Sequence, residues 1–459
     1  MAAAHRGHPQ HRRLSGLWPD PLIPVRDGRF EIAAGVTEGL IFDFPVPRDA
    51  VPGLYRTEIR VALGGEAAVF PVEVKVWKFV RPDRLKTPAL FEATRPKVYG
   101  LSDDNAVFAT MKFLAAYGVS PGVIPYSFQP VFRRQEGRIT MDTERFDRLA
   151  SYLFDELQVD KIWTPGHFYA GGWSSGISPM FGIRFGTPEF DRVWRESYRL
   201  FVDHITARGW RDRFLYYLTD EPHQSSEAMM TGMVHLAKLA REIAPDIPVY
   251  SSTWVHMPEL DGALSMWGIG ENGRFTPEKI AERRKAGDRF MFTTDGHFGI
   301  DTPLAGVERL LPLLGFKYGV EGFEFWSTDH YTFNPWEYGW CRDITQSLDG
   351  GKTWSRFRFS NGDGYILYPG RDLGLAEPVP SLRLLYTRMG LFDNELFHRL
   401  AQFEAEGNPE AKAALDGIRR FAAIPTYPNR STSLYLGDPA GFLQARDAAG
   451  ETLDRLEKH

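Results

Sequence analysis

The run Thr219-Asp220-Glu221-Pro222 places two adjacent carboxylates directly after an apolar segment at 214–218. A short apolar run of this kind is typical of a fully buried strand. Acids at the end of such a strand can act as a general acid and base, because barrel enzymes carry their catalytic groups at strand ends. The alternative is a pair of solvated acids in a turn.

Two carboxylates can hydrolyse a glycosidic bond by several routes. A retaining enzyme needs an acid and a nucleophile about 5–5.5 Å apart, and an inverting enzyme needs about 6.5–9.5 Å. Adjacent residues on a regular strand point to opposite faces, so Asp220 and Glu221 share a substrate only if the chain bends, which Pro222 permits. Adjacent acids suit a substrate-assisted route better, in which the 2-acetamido oxygen of the substrate attacks its own anomeric carbon. The Asp would hold the acetamido group, and the Glu, with a raised pKa, would protonate the leaving oxygen and then activate water.

Eight strand–helix units are expected from about residue 86 onward. The strands are predicted at 89–92, 122–126, 161–163, 214–218, 249–251, 264–267, 290–292 and 323–326, and the clearest helices at 103–117, 143–157, 188–208, 225–243 and 381–400. This alternation favours an α/β fold of the (β/α)8 TIM-barrel type, whose typical size is ~250 residues. An open doubly wound sheet is the structural alternative, but its G-x-G-x-x-G turn does not follow the first strand.

Short alternating runs between about 20 and 80, with a Gly64-Gly65 turn, predict a small N-terminal β-sandwich-like domain. The predicted organisation is therefore a disordered or truncated terminus at 1–19, the β domain at 20–85, and a catalytic barrel with C-terminal helices at 86–459. The first residues lack the apolar core of a signal peptide. This predicts a cytoplasmic protein as the sequence stands, or a secreted or periplasmic one if the N-terminus is truncated.

Composition excludes several classes of protein. A net charge of −5 and a pI near 6.2 offer no basic face for nucleic acid, and no run approaches the ~18 apolar residues of a membrane helix. The single cysteine, Cys341, rules out an internal disulfide and a cysteine-rich zinc site. Without an H-E-x-x-H motif or other ligand spacing, no metal and no cofactor are predicted. The oligomeric state is not predicted.

Polar and aromatic residues follow the predicted strands, where a barrel builds its site. Those selected as substrate-binding candidates are Tyr126, His167, Trp267, Asp295, Trp326, Tyr331 and Trp336. Hydroxyl groups need polar partners and pyranose faces stack on aromatic rings, so this collection favours a carbohydrate pocket. Each residue alone is weak support, since a tryptophan at a barrel end is often a core residue.

The chain resembles glycoside hydrolase family 123, whose characterised members are β-N-acetylgalactosaminidases that act by substrate assistance. The resemblance covers nearly the whole chain, in the order 52–55 and 74–77, 209–210, 216–222, 322–326, 334–336, 362–364, 368–370, 381–383 and 388–393. It implies that Asp220 orients the acetamido group, that Glu221 is the general acid/base, and that Trp326 and Trp336 line the sugar. It also implies a substrate with a terminal β-linked N-acetylhexosamine, above all a β-N-acetylgalactosaminide, on a glycan or glycolipid.

Two other functions remain open from the residues alone. A classical retaining barrel glycosidase would use Glu221 as acid/base and Asp295 or Glu271 as nucleophile. A non-catalytic carbohydrate-binding protein would keep the barrel without turnover. A substrate without the 2-acetamido group distinguishes the first from the substrate-assisted route, because only the classical enzyme would cleave it.

Overall fold

Short strands and longer helices alternate along most of the chain. The computed structural model describes residues 3–5, 16–94, 104–171, 176–222, 226–271, 273–294, 306–330, 335–338, 343–346, 355–358, 362–426 and 436–457. The strands β1 to β17 are Ala3–His5, Gly16–Trp18, Gly53–Leu63, Glu66–Val76, Ala89–Phe91, Val131–Gln135, Arg138–Asp142, Ile162–Trp163, Phe214–Asp220, Val249–Trp254, Met266–Ile269, Arg289–Thr294, Gly322–Phe325, Asp343–Gln346, Ser355–Arg358, Leu367–Tyr368 and Val379–Pro380. The helices α1 to α10 are Asp104–Ala116, Glu144–Ser151, Pro188–Ala207, Glu227–Ile243, Pro277–Lys285, Val307–Tyr318, Pro335–Tyr338, Leu382–Ala405, Pro409–Arg419 and Pro439–Leu456.

Seven parallel strands form a nearly closed barrel in the order β5-β13-β12-β11-β10-β9-β8. The segment 120–122 lies between the two edge strands and bonds to both. Phe91 N donates to Ser120 O at 2.9 Å, and Trp163 N donates to Gly122 O at 2.7 Å. The predicted α/β barrel is confirmed at this level. The predicted second strand 122–126 shares only Gly122 with the bonded segment 120–122, and its remaining residues lead into a 3₁₀ turn at Tyr126–Phe128.

The hydrophobic core has an inner and an outer part. The inner cluster fills the barrel and comprises Leu90, Trp163, Leu215, Tyr250, Met266 and Met291. The Trp163 and Tyr250 rings stack with centroids 4.7 Å apart. The outer, larger cluster lies between the strands and the surrounding helices. Successive side chains on a strand alternate between these two parts. An inward-facing side chain at the carboxyl end of a strand therefore lies at the barrel mouth.

The N-terminal region contains a long antiparallel hairpin of β3 and β4. Gly64 and Gly65 form its turn with φ of +59° and +89°, as a two-residue hairpin loop requires. Most side chains of both strands are exposed. Within the described part of 20–85 these are the regular strands, so the second sheet of a sandwich is not observed there.

The C-terminal helices attach this hairpin to the barrel. The Trp77 indole N–H, just past β4, donates to Glu451 Oε1 on α10 at 3.2 Å. The ring lies so close to Gly450 that a Cβ there would come within 2.0 Å of it. Within the described ranges, no helix combines the length and the apolar character needed to span a bilayer.

A buried ion pair ties residue 20 to the start of α8. Arg383 Nη2 lies 2.9 Å from Asp20 Oδ2, and both side chains are 5% exposed or less. Arg383 Nη1 also donates to the backbone oxygens of Gly362 and Tyr365, at 2.9 and 2.7 Å. The pair therefore fixes both the N-terminal segment and the segment 362–365.

Candidate active site

The two adjacent acids occupy the carboxyl end of β9, but a β-bulge sets their direction. Relative to β10, β9 contains an extra residue, Leu218, between Tyr217 and Thr219. Tyr217 packs against the inner cluster and Leu218 joins the outer one. On a regular strand residue 219 would point inward next, but the bulge moves the inward position to Asp220. Asp220 thus points into the barrel mouth.

Two hydroxyl groups hold the Asp220 carboxyl. Tyr217 Oη donates to Asp220 Oδ1 at 3.1 Å, and Ser252 Oγ, from the neighbouring β10, donates to the same oxygen at 2.5 Å. An ionised carboxylate is purely an acceptor, so donors on this oxygen favour the charged form of the side chain. Asp220 is therefore presented as an oriented carboxylate that can accept an N–H from a ligand.

Glu221 has a left-handed backbone, with φ of +44°. This conformation costs about 1–3 kcal/mol in a residue with a Cβ and persists only where the surrounding structure maintains it. Here Glu221 N donates to Ser252 Oγ at 3.3 Å. The chain bends at the strand end, as a shared site for adjacent acids requires, and both acids are partly exposed.

A tryptophan from the next strand orients the Glu221 carboxyl. Trp254, at the end of β10, donates its indole N–H to Glu221 Oε1 at 3.0 Å. It too is left-handed, with φ of +60°, next to a second register shift. Strained residues of this kind cluster at functional sites, which makes Glu221 and Trp254 candidates for a functional role.

Replacing Trp254 with phenylalanine keeps an aromatic ring and removes the donor to Glu221. We expect kcat to fall about 10- to 100-fold, because without this hydrogen bond the Glu221 carboxyl loses its fixed direction, and a misplaced group can cost about 100-fold in rate. Trp77→Phe is the matched control, since it also removes an indole donor from a glutamate, at the distant α10 contact. Equal kcat in the two variants, measured on a glycoside substrate, would argue against the orienting role.

Tyr169 flanks both acids. It follows the 3₁₀ turn Gly166–Phe168 after β8, and its ring lies 5.6 Å from that of Tyr217. Burial first, and then the carboxylates of Asp220 and Glu92, raise the pKa of Tyr169 far above its usual range. Its hydroxyl therefore remains a neutral hydrogen-bonding group at the barrel mouth.

The tryptophan after β13 is held by the segment 362–365. The Trp326 indole N–H donates to Asp363 Oδ1 at 2.8 Å. Gly364, with φ of +81°, lies beneath the ring, where a Cβ would come within 2.4 Å of it. Trp326 thus lies at the same end of the barrel as the acid pair, partly exposed.

Trp336 is anchored further along the same region. Its indole N–H donates to Pro369 O at 3.1 Å, and its ring lies 5.0 Å from Tyr368. It is partly exposed and packs against a small cluster that includes Tyr365. Its placement keeps a substrate-binding role open.

Three other candidates have different surroundings. Trp267 is 0% exposed and belongs to the outer core, so the structure places it in the packing between strands and helices rather than in the pocket. His167 stacks on Phe132 at 4.1 Å, and burial lowers the pKa of its imidazole to about 4. Tyr126 is 86% exposed on the 3₁₀ turn after the 120–122 segment. Tyr331 and Asp295 lie outside the described residues.

The alternative nucleophile Glu271 is 0% exposed. A side chain with no accessible surface does not reach an anomeric carbon without rearrangement, which disfavours it as a nucleophile. Across the described ranges, no three His, Cys, Asp or Glu side chains converge in a way that could hold a metal ion.

Sequence patterns did not reveal the residues that orient the acids. Ser252, Tyr217 and Tyr169 lie within or just after predicted strands, where their types are ordinary for a core. Trp254 and Glu92 were recognisable as strand-end residues, but nothing local distinguished them from other strand ends. Their contacts depend on strand neighbours, which become visible only in the folded barrel.

Two comparisons with known proteins lead to the same enzyme family. The model of the glycoside hydrolase 123 catalytic domain matches residues 124–400. A family 123 glycoside hydrolase from Clostridium perfringens, described for glycolipid glycan hydrolysis, aligns with a TM-score of 0.58 and 15% identity, over 89% of this chain and 76% of that one.

More distant structures align only weakly. A family 2 member from Bacteroides cellulosilyticus has a TM-score of 0.33 and 11% identity, over 61% of this chain and 34% of its own. Bacteroides uniformis β-glucuronidase 3 has a TM-score of 0.33 and 13% identity, over 72% and 42%. No curated protein matches the chain in sequence. Since the matched catalytic domain spans more than half of the chain, the family predicted from the motifs is confirmed, and this protein belongs to glycoside hydrolase family 123.

Proposed function

We propose that this glycoside hydrolase removes terminal β-linked N-acetylhexosamine, with β-N-acetylgalactosaminide as the preferred sugar, by a retaining, substrate-assisted mechanism. The carrier is a glycan or a glycolipid, the latter being what the Clostridium perfringens relative is described as hydrolysing. The observation that carries the proposal is the left-handed backbone of Glu221, a bend that allows two sequence-adjacent acids to serve one substrate.

In the first step the acetamido oxygen of the substrate attacks its own anomeric carbon while the glycosidic bond breaks. Asp220 accepts the acetamido N–H and stabilises the positive charge that develops on the oxazolinium ring. Its fixed oxygen, bonded by Tyr217 and Ser252, prepares it for this task before the substrate arrives. Glu221 gives its proton to the leaving oxygen, so that an alcohol departs rather than an alkoxide.

In the second step water adds to the anomeric carbon and the oxazoline ring opens. Glu221, now a carboxylate, takes a proton from this water, which restores the acid for the next cycle. Two inversions at the anomeric carbon give net retention. The Trp254 indole holds one Glu221 oxygen through both steps, so that the other can exchange the proton.

The classical retaining route has less support. It needs a separate protein nucleophile, and of the two candidates Glu271 is fully buried. Asp295 lies outside the described residues and remains the rival to be tested.

Asp220→Asn tests the proposal directly. The amide keeps an oxygen for Tyr217 and Ser252 but loses the charge that stabilises the oxazolinium. We expect kcat on an aryl β-N-acetylgalactosaminide to fall about 10²- to 10³-fold, the usual loss when one preorganised electrostatic group is removed. The wild-type enzyme is expected to leave the matching β-galactoside intact, because that sugar lacks the internal nucleophile.

The two assays separate the rivals. Cleavage of the plain β-galactoside by the wild type would contradict substrate assistance and would make Asp295 the next residue to substitute. A parallel assay with the β-N-acetylglucosaminide epimer measures the preference at the 4-hydroxyl. If the gluco sugar is cleaved at the higher rate, the mechanism stands and the assigned sugar is wrong.

A further inference from the structure

A third carboxyl group, from Glu92, lies at the same end of the barrel as the catalytic pair. Glu92 directly follows β5, and its backbone is bonded on both sides. Glu92 N donates to Phe325 O at 3.1 Å, and Thr328 N donates to Glu92 O at 2.9 Å. The backbone of Glu92 is therefore as well fixed as that of a strand residue.

Strand parity directs Glu92 inward. Leu90 belongs to the cluster that fills the barrel, whereas Phe91 belongs to the outer core. Since side chains alternate, Glu92 points the same way as Leu90, into the barrel mouth. Gly122 provides the room, because a Cβ at that position would lie 3.2 Å from Glu92 Cγ and from Glu92 N.

Several titratable groups surround this carboxyl. The acidic side chains that interact with it are Asp220, from β9, and Glu324, from β13, together with the phenol of Tyr169 after β8. Asp329 and His330 follow Thr328, the residue bonded to the Glu92 backbone. The indole N–H of Trp163 faces the carboxyl without completing a hydrogen bond by distance and angle.

These surroundings decide which acid holds a proton. Burial, followed by the Asp220 carboxylate, raises the pKa of Glu92 to about 8, and the Trp163 N–H opposes this rise. Asp220 accepts hydrogen bonds from two hydroxyl groups. Because neighbouring like charges disfavour ionising together, the raised pKa favours the neutral form of Glu92 at pH 7.

Glu324 differs from Glu92 in access. It is 3% exposed and accepts hydrogen bonds from Thr293 and, at 3.3 Å, from Tyr250. Glu92 is partly exposed, although its carboxyl is the more buried part of the residue. Of the two glutamates, Glu92 is therefore the more accessible from the barrel mouth.

We propose that Glu92 is a substrate-binding residue of this site, and that its carboxyl group forms a hydrogen bond with a hydroxyl group of the bound pyranose. The proposal rests on the proposed function for the identity of the sugar. A neutral acid both donates and accepts, as a sugar hydroxyl requires, whereas an ionised one only accepts. A neutral acid also avoids a second negative charge beside Asp220, which must stay ionised.

The experiment compares Glu92→Gln and Glu92→Ala over pH 6–9 with an aryl β-N-acetylgalactosaminide. Glutamine imitates the protonated acid, so we expect its KM to stay within about threefold of the wild-type value at pH 6.5. Alanine is expected to raise KM about 10- to 100-fold, the loss of a buried hydrogen bond to a polar ligand. The wild-type KM should rise above pH 8, where Glu92 loses its proton, and the glutamine variant should not show this rise.

A second readout does not depend on turnover. The native state keeps a proton on Glu92 that the unfolded chain releases near pH 4.3, so native stability falls as pH rises from about 4.3 to 8. The melting temperature of Glu92→Gln relative to wild type should therefore increase across this window. Glu395→Gln is the matched control, since burial also raises the pKa of Glu395, on α8 beside Lys86 at the amino end of β5. It should show a similar pH trend in stability and no change in KM.

The outcomes are distinct. Equal increases in KM for Glu92→Gln and Glu92→Ala, or a rise in KM above pH 8 that persists in Glu92→Gln, would overturn the proposal. If the wild type cleaves no β-N-acetylhexosaminide, the proposed function fails and the sugar contact with it. In that case the melting profile still reports whether Glu92 is neutral, which separates the two failures.

Discussion

Glu221→Gln is expected to lower kcat about 10²- to 10⁴-fold on a disaccharide substrate, the range that general acid–base catalysis contributes. The glutamine side chain keeps an oxygen for the Trp254 indole N–H, so the orientation of residue 221 should be preserved. What it loses is the proton for the leaving oxygen and the base for the attacking water. The measurement is kcat and kcat/KM on the natural-type disaccharide and on an aryl glycoside whose leaving group needs no protonation.

The two substrates should respond differently to this variant. Bond cleavage of the activated aryl glycoside does not need the acid, so its loss should be smaller than that of the disaccharide. The second step still lacks its base, and the oxazoline should then accumulate. Equal losses on both substrates, with the melting temperature unchanged, would contradict the role of Glu221 as the proton donor. A retained kcat on the disaccharide would exclude Glu221 from the chemistry altogether.

The left-handed backbone of Glu221 also connects stability with activity. Glycine adopts positive φ without strain, so a glycine at 221 would fold more easily than alanine at the same position. The chain nevertheless carries a glutamate there. The strained backbone at 221 therefore lowers the stability of the fold locally, and the same conformation sets the direction of the Glu221 carboxyl group.

Helix positions were predictable because their signals are local. The third barrel helix was expected at 188–208 and spans Pro188–Ala207, because Thr187 caps its first turn and Pro188 suits the first helical position. The strand before Asp220 was equally clear from its apolar run. Local patterns of this kind survive in the fold, since they do not depend on which neighbours a segment finds.

The direction of side chains at the strand ends was not predictable. The two-residue period of a strand would have put Asp220 and Glu221 on opposite faces. The bulge at Leu218 turns Asp220 inward, and the bend at Glu221 interrupts the alternation between the two acids. A bulge depends on pairing with β10, and the residues of β9 alone do not specify that pairing. Trp267 illustrates the reverse case, because its strand-end position suggested a pocket while its face of β11 belongs to the core.

The N-terminal prediction shows the same limit. Alternating residues and Gly64-Gly65 correctly indicated the hairpin of β3 and β4. The sandwich required a second sheet, whose pairing is not local, and the described residues of this region do not contain it. The structure adds instead a contact with no sequence signal, the burial of Asp20 against Arg383.

Asp20→Asn is expected to destabilise the protein by about 3–5 kcal/mol, because it leaves the Arg383 guanidinium buried without its opposite charge. Asp20 accepts Arg383 Nε at 3.0 Å and the Tyr368 hydroxyl at 2.6 Å, so the loss spreads into the 362–369 region.

Denaturant unfolding measures this loss, and Asp43→Asn is the matched control. Like Asp20, Asp43 is an N-terminal aspartate that pairs with an arginine of α8, and it lies 2.8 Å from Arg388. Unlike Asp20, its side chain is 63% exposed. An exposed pair of this kind is worth about 0–1 kcal/mol. Since the same region holds Trp326 through Asp363, Asp20→Asn should also raise KM under conditions where the variant is fully folded. Equal unfolding free energies for the two variants would mean that the buried ion pair stabilises the protein no more than a surface pair does. Other contacts would then fix the segment 362–365.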